Sequence, residues 1–180
     1  MKNQLKLVVL FAVIMLFICS LKSCSNYISD EEVNQYMELY SDVNKKKVVF
    51  PKELETIHNN IISSETNKYS IIVTGYLDCS TCIIRLKQIE AFNNEFPNFN
   101  IIYIGGGNES IYFLNQIRKN KFSFTILKDK NNDFIVNNEL YKYNQSTFLL
   151  NSNNEIEFIG EPFYSSFIKS FYTYLYHENY

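Results

Sequence analysis

The chain has no tryptophan, two histidines and four cysteines, and these scarcities bound its chemistry before any motif is read. A zinc ion held by one Cys-x-x-Cys pair needs two more ligands, and His58 and His177 are the only imidazoles on offer, so no metal and no cofactor is expected. Long apolar runs are equally scarce. Leu7 to Cys19 is the one such stretch, thirteen residues against the roughly 20 that a membrane-spanning helix needs, and no second run approaches that length. A surplus of positive charge is missing as well: residues 1–23 hold three lysines and no acid, so the rest of the chain carries 14 basic against 19 acidic residues, a formal charge of −5. Nucleic acid is therefore not an expected partner. Lys45-Lys46-Lys47 is too short to reverse this and reads as a solvated strand entrance. Gly105-Gly106-Gly107 lacks the spacing and the lysine of a phosphate loop and reads as a turn.

What is present begins with an export signal. Lys6 closes a short basic region, the apolar run follows, and Leu21-Lys22-Ser23-Cys24 resembles a bacterial lipobox, whose cysteine is lipidated after cleavage. The expected organisation is a lipoprotein-type signal peptide at 1–23, a tether and short helix at 24–47, and a single folded domain at 48–180. The chain is then exported to the cell envelope and lipid-anchored through Cys24 on the periplasmic or outer side, with no transmembrane helix in the mature protein.

If Cys24 carries lipid, Cys79 and Cys82 are the only partners left for an intramolecular disulfide. A loop that short staples little, because the entropic benefit of a crosslink grows with loop length, so a chemical role is favoured over a structural one. The pair follows a β-prone run, Tyr69 to Leu77, and opens a helical pattern in which Cys82, Leu86, Ile89 and Phe96 share a face until Pro97. A thiol at a helix start lies beside unpaired N–H groups and the positive end of the dipole, which makes Cys79 the candidate nucleophile. Asp78 opposes that effect, whereas Ser80, Thr81 and Arg85 are placed to stabilise a thiolate.

Elsewhere, Ser29-Asp30-Glu31-Glu32 reads as a capping box before a helix carrying Val33, Tyr36, Met37 and Tyr40. Val48-Val49-Phe50 reads as a strand, and Pro51 as the start of a helix through Leu54, Ile57, His58 and Ile61-Ile62, with His58 on its surface. A strand is expected over 99–104, a helix burying Ile111, Leu114 and Ile117, and a strand over 122–127. A short helix near Glu139-Leu140-Tyr141 precedes a hairpin turning at 151–154, and an amphipathic helix bearing Phe167, Ile168, Phe171, Tyr174 and Leu175 closes the chain. The tail from Tyr174 to Tyr180 reads as a partly exposed contact surface. Strand and helix alternate as βαβαβαβ, then β and α, which implies parallel strands covered by helices with an antiparallel hairpin at the edge.

From about Val48 onward, this order with CSTC at a strand-to-helix junction resembles the thioredoxin-fold, membrane-tethered TlpA/ResA-type proteins. Gln145-Ser-Thr-Phe-Leu-Leu-Asn-Ser-Asn-Asn-Glu-Ile is similar to their "TPTTFLID.DGKI" element, and Phe124-Thr-Ile-Leu-Lys-Asp129 to their "FPVLKD". The resemblance implies an α/β fold, a thioredoxin-like three-layer sandwich with a mixed sheet flanked by helices. It also implies a thiol–disulfide oxidoreductase in which Cys79 attacks and Cys82 resolves, exchanging electrons with protein or small-molecule disulfides or a membrane redox partner. Gln145, Ser146 and Thr147 then form the substrate-binding loop. Three family features are absent: Gln145 or Ser146 stands in place of the cis-proline facing the cysteines, Asp78 in place of a tryptophan, and Val73 in place of a buried acid. A second reading is a non-catalytic lipoprotein of the same fold, acting as a binding or assembly module. A peroxiredoxin is disfavoured, since Tyr76 and Ile72 stand where that pattern has Thr or Ser and Pro.

Overall fold

A computed structural model describes residues 30–58 and 68–179. The lipobox-like segment with Cys24, the capping Ser29 and the Ile61-Ile62 pair lie outside the described residues. Among the described residues, no helix is long and apolar enough to cross a membrane.

Six strands form one mixed sheet: β1 (Glu55–His58), β2 (Tyr69–Tyr76), β3 (Asn100–Gly106), β4 (Thr125–Asp129), β5 (Thr147–Asn151) and β6 (Ile156–Ile159), in the spatial order β1-β4-β3-β2-β5-β6. The inner trio β2, β3 and β4 is parallel, while β1 on β4, β5 on β2 and β6 on β5 are antiparallel. The longer helices are α1 (Asp30–Leu39), α2 (Ser80–Glu95), α3 (Ile111–Asn120) and α5 (Ser166–Asn179); α4 (Asp133–Asn137) and a 3-10 turn (Leu140–Tyr143) are short.

Strand residues alternate between two cores, as a pleated sheet with both faces covered requires. Ile71, Val73, Ile101, Tyr103, Leu149 and Phe158 meet α2, α3 and α5 on one face. Ile72, Ile104, Phe148, Leu150 and Ile159 meet α4, the 3-10 turn and the chain around Val43 and Val48 on the other. This is an α/β thioredoxin-like sandwich of three layers. Phe92 of α2 packs inside the first core, with ring contacts to Phe96 at 4.7 Å, Phe163 at 5.5 Å and Tyr172 at 5.9 Å.

Several expectations are corrected. Residues 48–50 are not a strand: only Lys47 forms an isolated bridge, to Glu155, and the Asn138 side chain satisfies Val49 instead, accepting from its N–H and donating to its carbonyl at 2.8 Å each. Over the described residues 51–58 the helix expected from Pro51 is not formed, and β1 takes its place there because the open edge of β4 supplies backbone partners that outweigh a weak helical pattern. His58 accordingly lies on a strand, its Nε2 donating to the Phe122 carbonyl at 2.6 Å. Of the three residues expected to face inward from α3, Ile117 is buried and Ile111 is 80% exposed, with Phe113 buried in its stead, because the helix begins only at the Ser110 cap. Gly105 and Gly106 belong to β3 rather than to a turn. Helix α4 was not foreseen; the buried Asp129 carboxylate caps it, accepting from the N–H groups of Asp133 and Phe134 at 2.9 and 2.8 Å.

Lys45 pairs with Glu157, and Lys46 lies 3.7 Å from Glu139, so the lysine cluster is a paired surface. Of the terminal tyrosines, Tyr174 is half exposed whereas Tyr176 packs on Phe96 and Phe99.

Candidate functional site: a disulfide at the start of α2

Strand β2 carries the chain out of the core at Tyr76, Leu77 is buried again, and Cys79 becomes the N-cap of α2 with an extended backbone. Its Sγ accepts the Cys82 N–H at 3.1 Å, so one of the free donors of the first turn already points at sulfur. Cys79 and Cys82 are joined as a disulfide with Cα atoms 5.3 Å apart. A disulfide sulfur carries no hydrogen, so the 3.3 Å contact between Cys79 Sγ and Thr81 Oγ1 is donated by the threonine. Cys79 is half-buried; Cys82 is 8% exposed and shares the inner face of α2 with Leu86 and Ile89. No acid lies in the first turn of α2, and Asp78 stands just outside it.

One turn beyond Cys82, Arg85 lines the same cleft as the pair. It donates to the Thr74 carbonyl at 2.9 Å, to Ser146 Oγ at 2.7 Å, to Thr147 Oγ1 at 3.4 Å and to Glu161 Oε1 at 2.8 Å. Ser146 also donates to Glu161. Nothing in the sequence singled out Glu161: it follows the last strand, 76 residues from Arg85, and only folding brings it here.

The expected loop residues separate in space. Ser146 lines a cleft of about 500 Å³ together with Cys79, Cys82 and Arg85. The Gln145 amide turns to the residue just past α1 and donates to Tyr40 Oη at 3.2 Å, and Thr147 is fully buried at the start of β5, opposite Val73. The loop is held by Thr74, whose N–H and hydroxyl both donate to the Ser146 carbonyl, at 2.7 and 3.3 Å. Among the described residues every peptide bond is trans.

Tyr76 and Tyr164 line the mouth of the cleft with most of their surface in solvent, while Tyr103 forms part of its wall. The Tyr103 phenol donates to the Tyr76 carbonyl at 3.0 Å and has its pKa pushed up to about 12, chiefly by burial, against a lowering by Arg85. Tyr164 is raised in the same direction by partial burial.

Fold and site together describe a thioredoxin-like protein with a two-cysteine disulfide at the start of α2. No protein-family model matches the chain, and no curated protein matches it. Solved structures do. A thioredoxin-like protein in its oxidised form is 8% identical with a TM-score of 0.51, over 77% of this chain and 96% of that one. A putative thioredoxin from Neisseria meningitidis is 17% identical with a TM-score of 0.43, over 60% and 75%. StoA from Bacillus subtilis is 20% identical with a TM-score of 0.39, over 54% and 75%.

Proposed function

We propose that this chain is a thiol–disulfide oxidoreductase acting outside the cytoplasm through Cys79 and Cys82. The observation that carries the reading is the disulfide itself, set at the N-cap of α2 with both cysteines lining an open cleft. The reduced pair supplies the two electrons. The Cys79 thiolate attacks one sulfur of a client disulfide, forming a mixed disulfide and releasing the first client thiolate. Cys82 then gives up its proton and attacks Cys79 Sγ, which closes the bond seen in the structure and releases the second thiolate. Ser146 lines the cleft with Cys82, accepts from Arg85 and donates to Glu161, so Ser146 and the Glu161 carboxylate are the groups assigned to take up the proton lost by Cys82. Arg85 favours negative charge in the cleft at each stage.

The signal-like residues 1–23 and the lipobox-like Cys24 support an envelope location and a lipid anchor. Mass analysis of detergent-extracted full chain and of Cys24→Ala tests this: added acyl mass on the first alone is expected, and masses that differ only by the substituted side chain refute it.

The activity is tested by reduction of insulin disulfides with dithiothreitol as electron source. Wild type is expected to accelerate it and Cys79→Ser to abolish the acceleration; turnover that survives Cys79→Ser refutes the reading. A second reading, a binding or assembly module, is favoured by Gln145 or Ser146 standing where the resemblance expects a cis-proline. It takes over if wild type is inert and its disulfide resists reduction.

A further inference from the structure

The segment before the sheet reaches into this site. Tyr36 Oη of α1 donates to the Ile159 carbonyl at 2.8 Å, and the next two residues are Gly160 and Glu161. One turn later, Tyr40 Oη accepts from the Gln145 amide at 3.2 Å, and the next residue is Ser146. The two phenol rings lie 5.3 Å apart, and Tyr36 also stacks on Phe158 at 5.1 Å. Helix α1 and the turn that ends it thus hold by hydrogen bonds both loops whose side chains converge on Arg85.

We propose that Tyr36 and Tyr40 are positioning residues of the dithiol site: through Ile159 and Gln145 they fix Glu161 and Ser146 against Arg85, and so set the reactivity of Cys79 and Cys82. The inference rests on the redox reading and adds to it that the segment expected to be a tether is part of the machinery. The geometry is specific. Gly160 has φ +146°, and a Cβ built there meets Tyr36 Oη at 2.8 Å, so the turn that delivers Glu161 is shaped around this hydroxyl. Tyr172 Oη donates to the Gly160 carbonyl at 3.2 Å, so two phenols anchor the two residues that precede Glu161. Each Tyr→Phe change removes one hydroxyl and keeps the ring, so packing is preserved while a loop is released.

The titratable groups facing the cluster are Asp78 before α2, Tyr103 from β3, Tyr164 and Glu161 after β6, and Tyr172 from α5. Changes in a pH profile must be judged against all of them. The test uses the full chain, reduced with dithiothreitol, as wild type, Tyr36→Phe, Tyr40→Phe and the double variant. Alkylation of Cys79 by iodoacetamide is followed across pH, and the dithiol–disulfide equilibrium is measured against glutathione. The double variant is expected to displace the alkylation profile and to change the glutathione equilibrium roughly three- to tenfold, with each single variant showing part of the effect. Met37→Leu, on the same helix but touching neither loop through a hydrogen bond, is expected to retain the wild-type profile. A folded double variant with the wild-type profile and equilibrium overturns the proposal; if it fails to fold, the same result in Tyr40→Phe overturns it. Alkylation reads the thiolate whether or not a client disulfide is turned over. A chain inert toward insulin but with a displaced profile therefore refutes the redox reading alone.

Discussion

Arg85 and Glu161 are 76 residues apart in the chain and 2.8 Å apart in the fold, with less than a quarter of either side chain exposed, and Arg85 lines the cleft of the disulfide. The pair ties α2 to the turn after β6, and Ser146 completes it from the loop before β5.

Removing one partner strands the other in a mostly buried setting, so Arg85→Ala is expected to cost about 3 kcal/mol in urea unfolding. Glu161→Gln should cost less, because an amide oxygen still accepts from Arg85. The double-mutant cycle should show coupling of about 1–3 kcal/mol. Arg85→Lys is not expected to rescue, since one ammonium cannot serve Thr74, Ser146 and Glu161 along the separate directions of the guanidinium. Additive single effects would show that the pair is not a unit.

The disulfide closes a loop of four residues, so it should add no more than about 2 kcal/mol to stability. Urea midpoints with and without dithiothreitol measure this directly. A much larger loss on reduction would make the bond a staple rather than a redox pair.

Gly160→Ala places a side chain at a positive φ and against Tyr36 Oη. It is expected to destabilise by about 1–3 kcal/mol and to slow thiol exchange by displacing Glu161. Thermal unfolding and the insulin assay check the two effects; an unchanged melting temperature would contradict the role given to this turn.

Burial raises Tyr103 from 10.0 to about 12, and Tyr36 and Tyr172 move the same way, also through burial first. The folded chain therefore holds protons that the unfolded chain releases above pH 10. This contribution is fully present below pH 10 and is lost as pH rises toward 12, worth about 2–3 kcal/mol for Tyr103 alone. Tyrosinate absorbance and circular dichroism followed together should show cooperative unfolding as these phenols ionise. Tyr103→Phe should lose less stability than wild type over the same interval.

The elements read well from the sequence are those whose pattern is strong within one segment. Tyr69 to Leu77 is apolar and rich in β-branched residues, and 147–159 has a polar turn between two apolar runs; both gave the expected strands. The stretch 48–58 misled because its apolar spacing is compatible with a helix, while the deciding partners, Asn138 and the edge of β4, lie about 70 to 90 residues away. Helix α4 was hidden because its cap, Asp129, is the last residue of a strand.

Local sequence determined that two cysteines three apart would meet at the start of a helix, because a strand-forming run followed by helical spacing places them there within a dozen residues. Tertiary structure alone decided what surrounds them. Arg85, Ser146, Glu161 and the Tyr36–Tyr40 pair come from four separate segments, and hydrogen bonds between such segments depend on how strands are ordered in the sheet, which no local periodicity encodes.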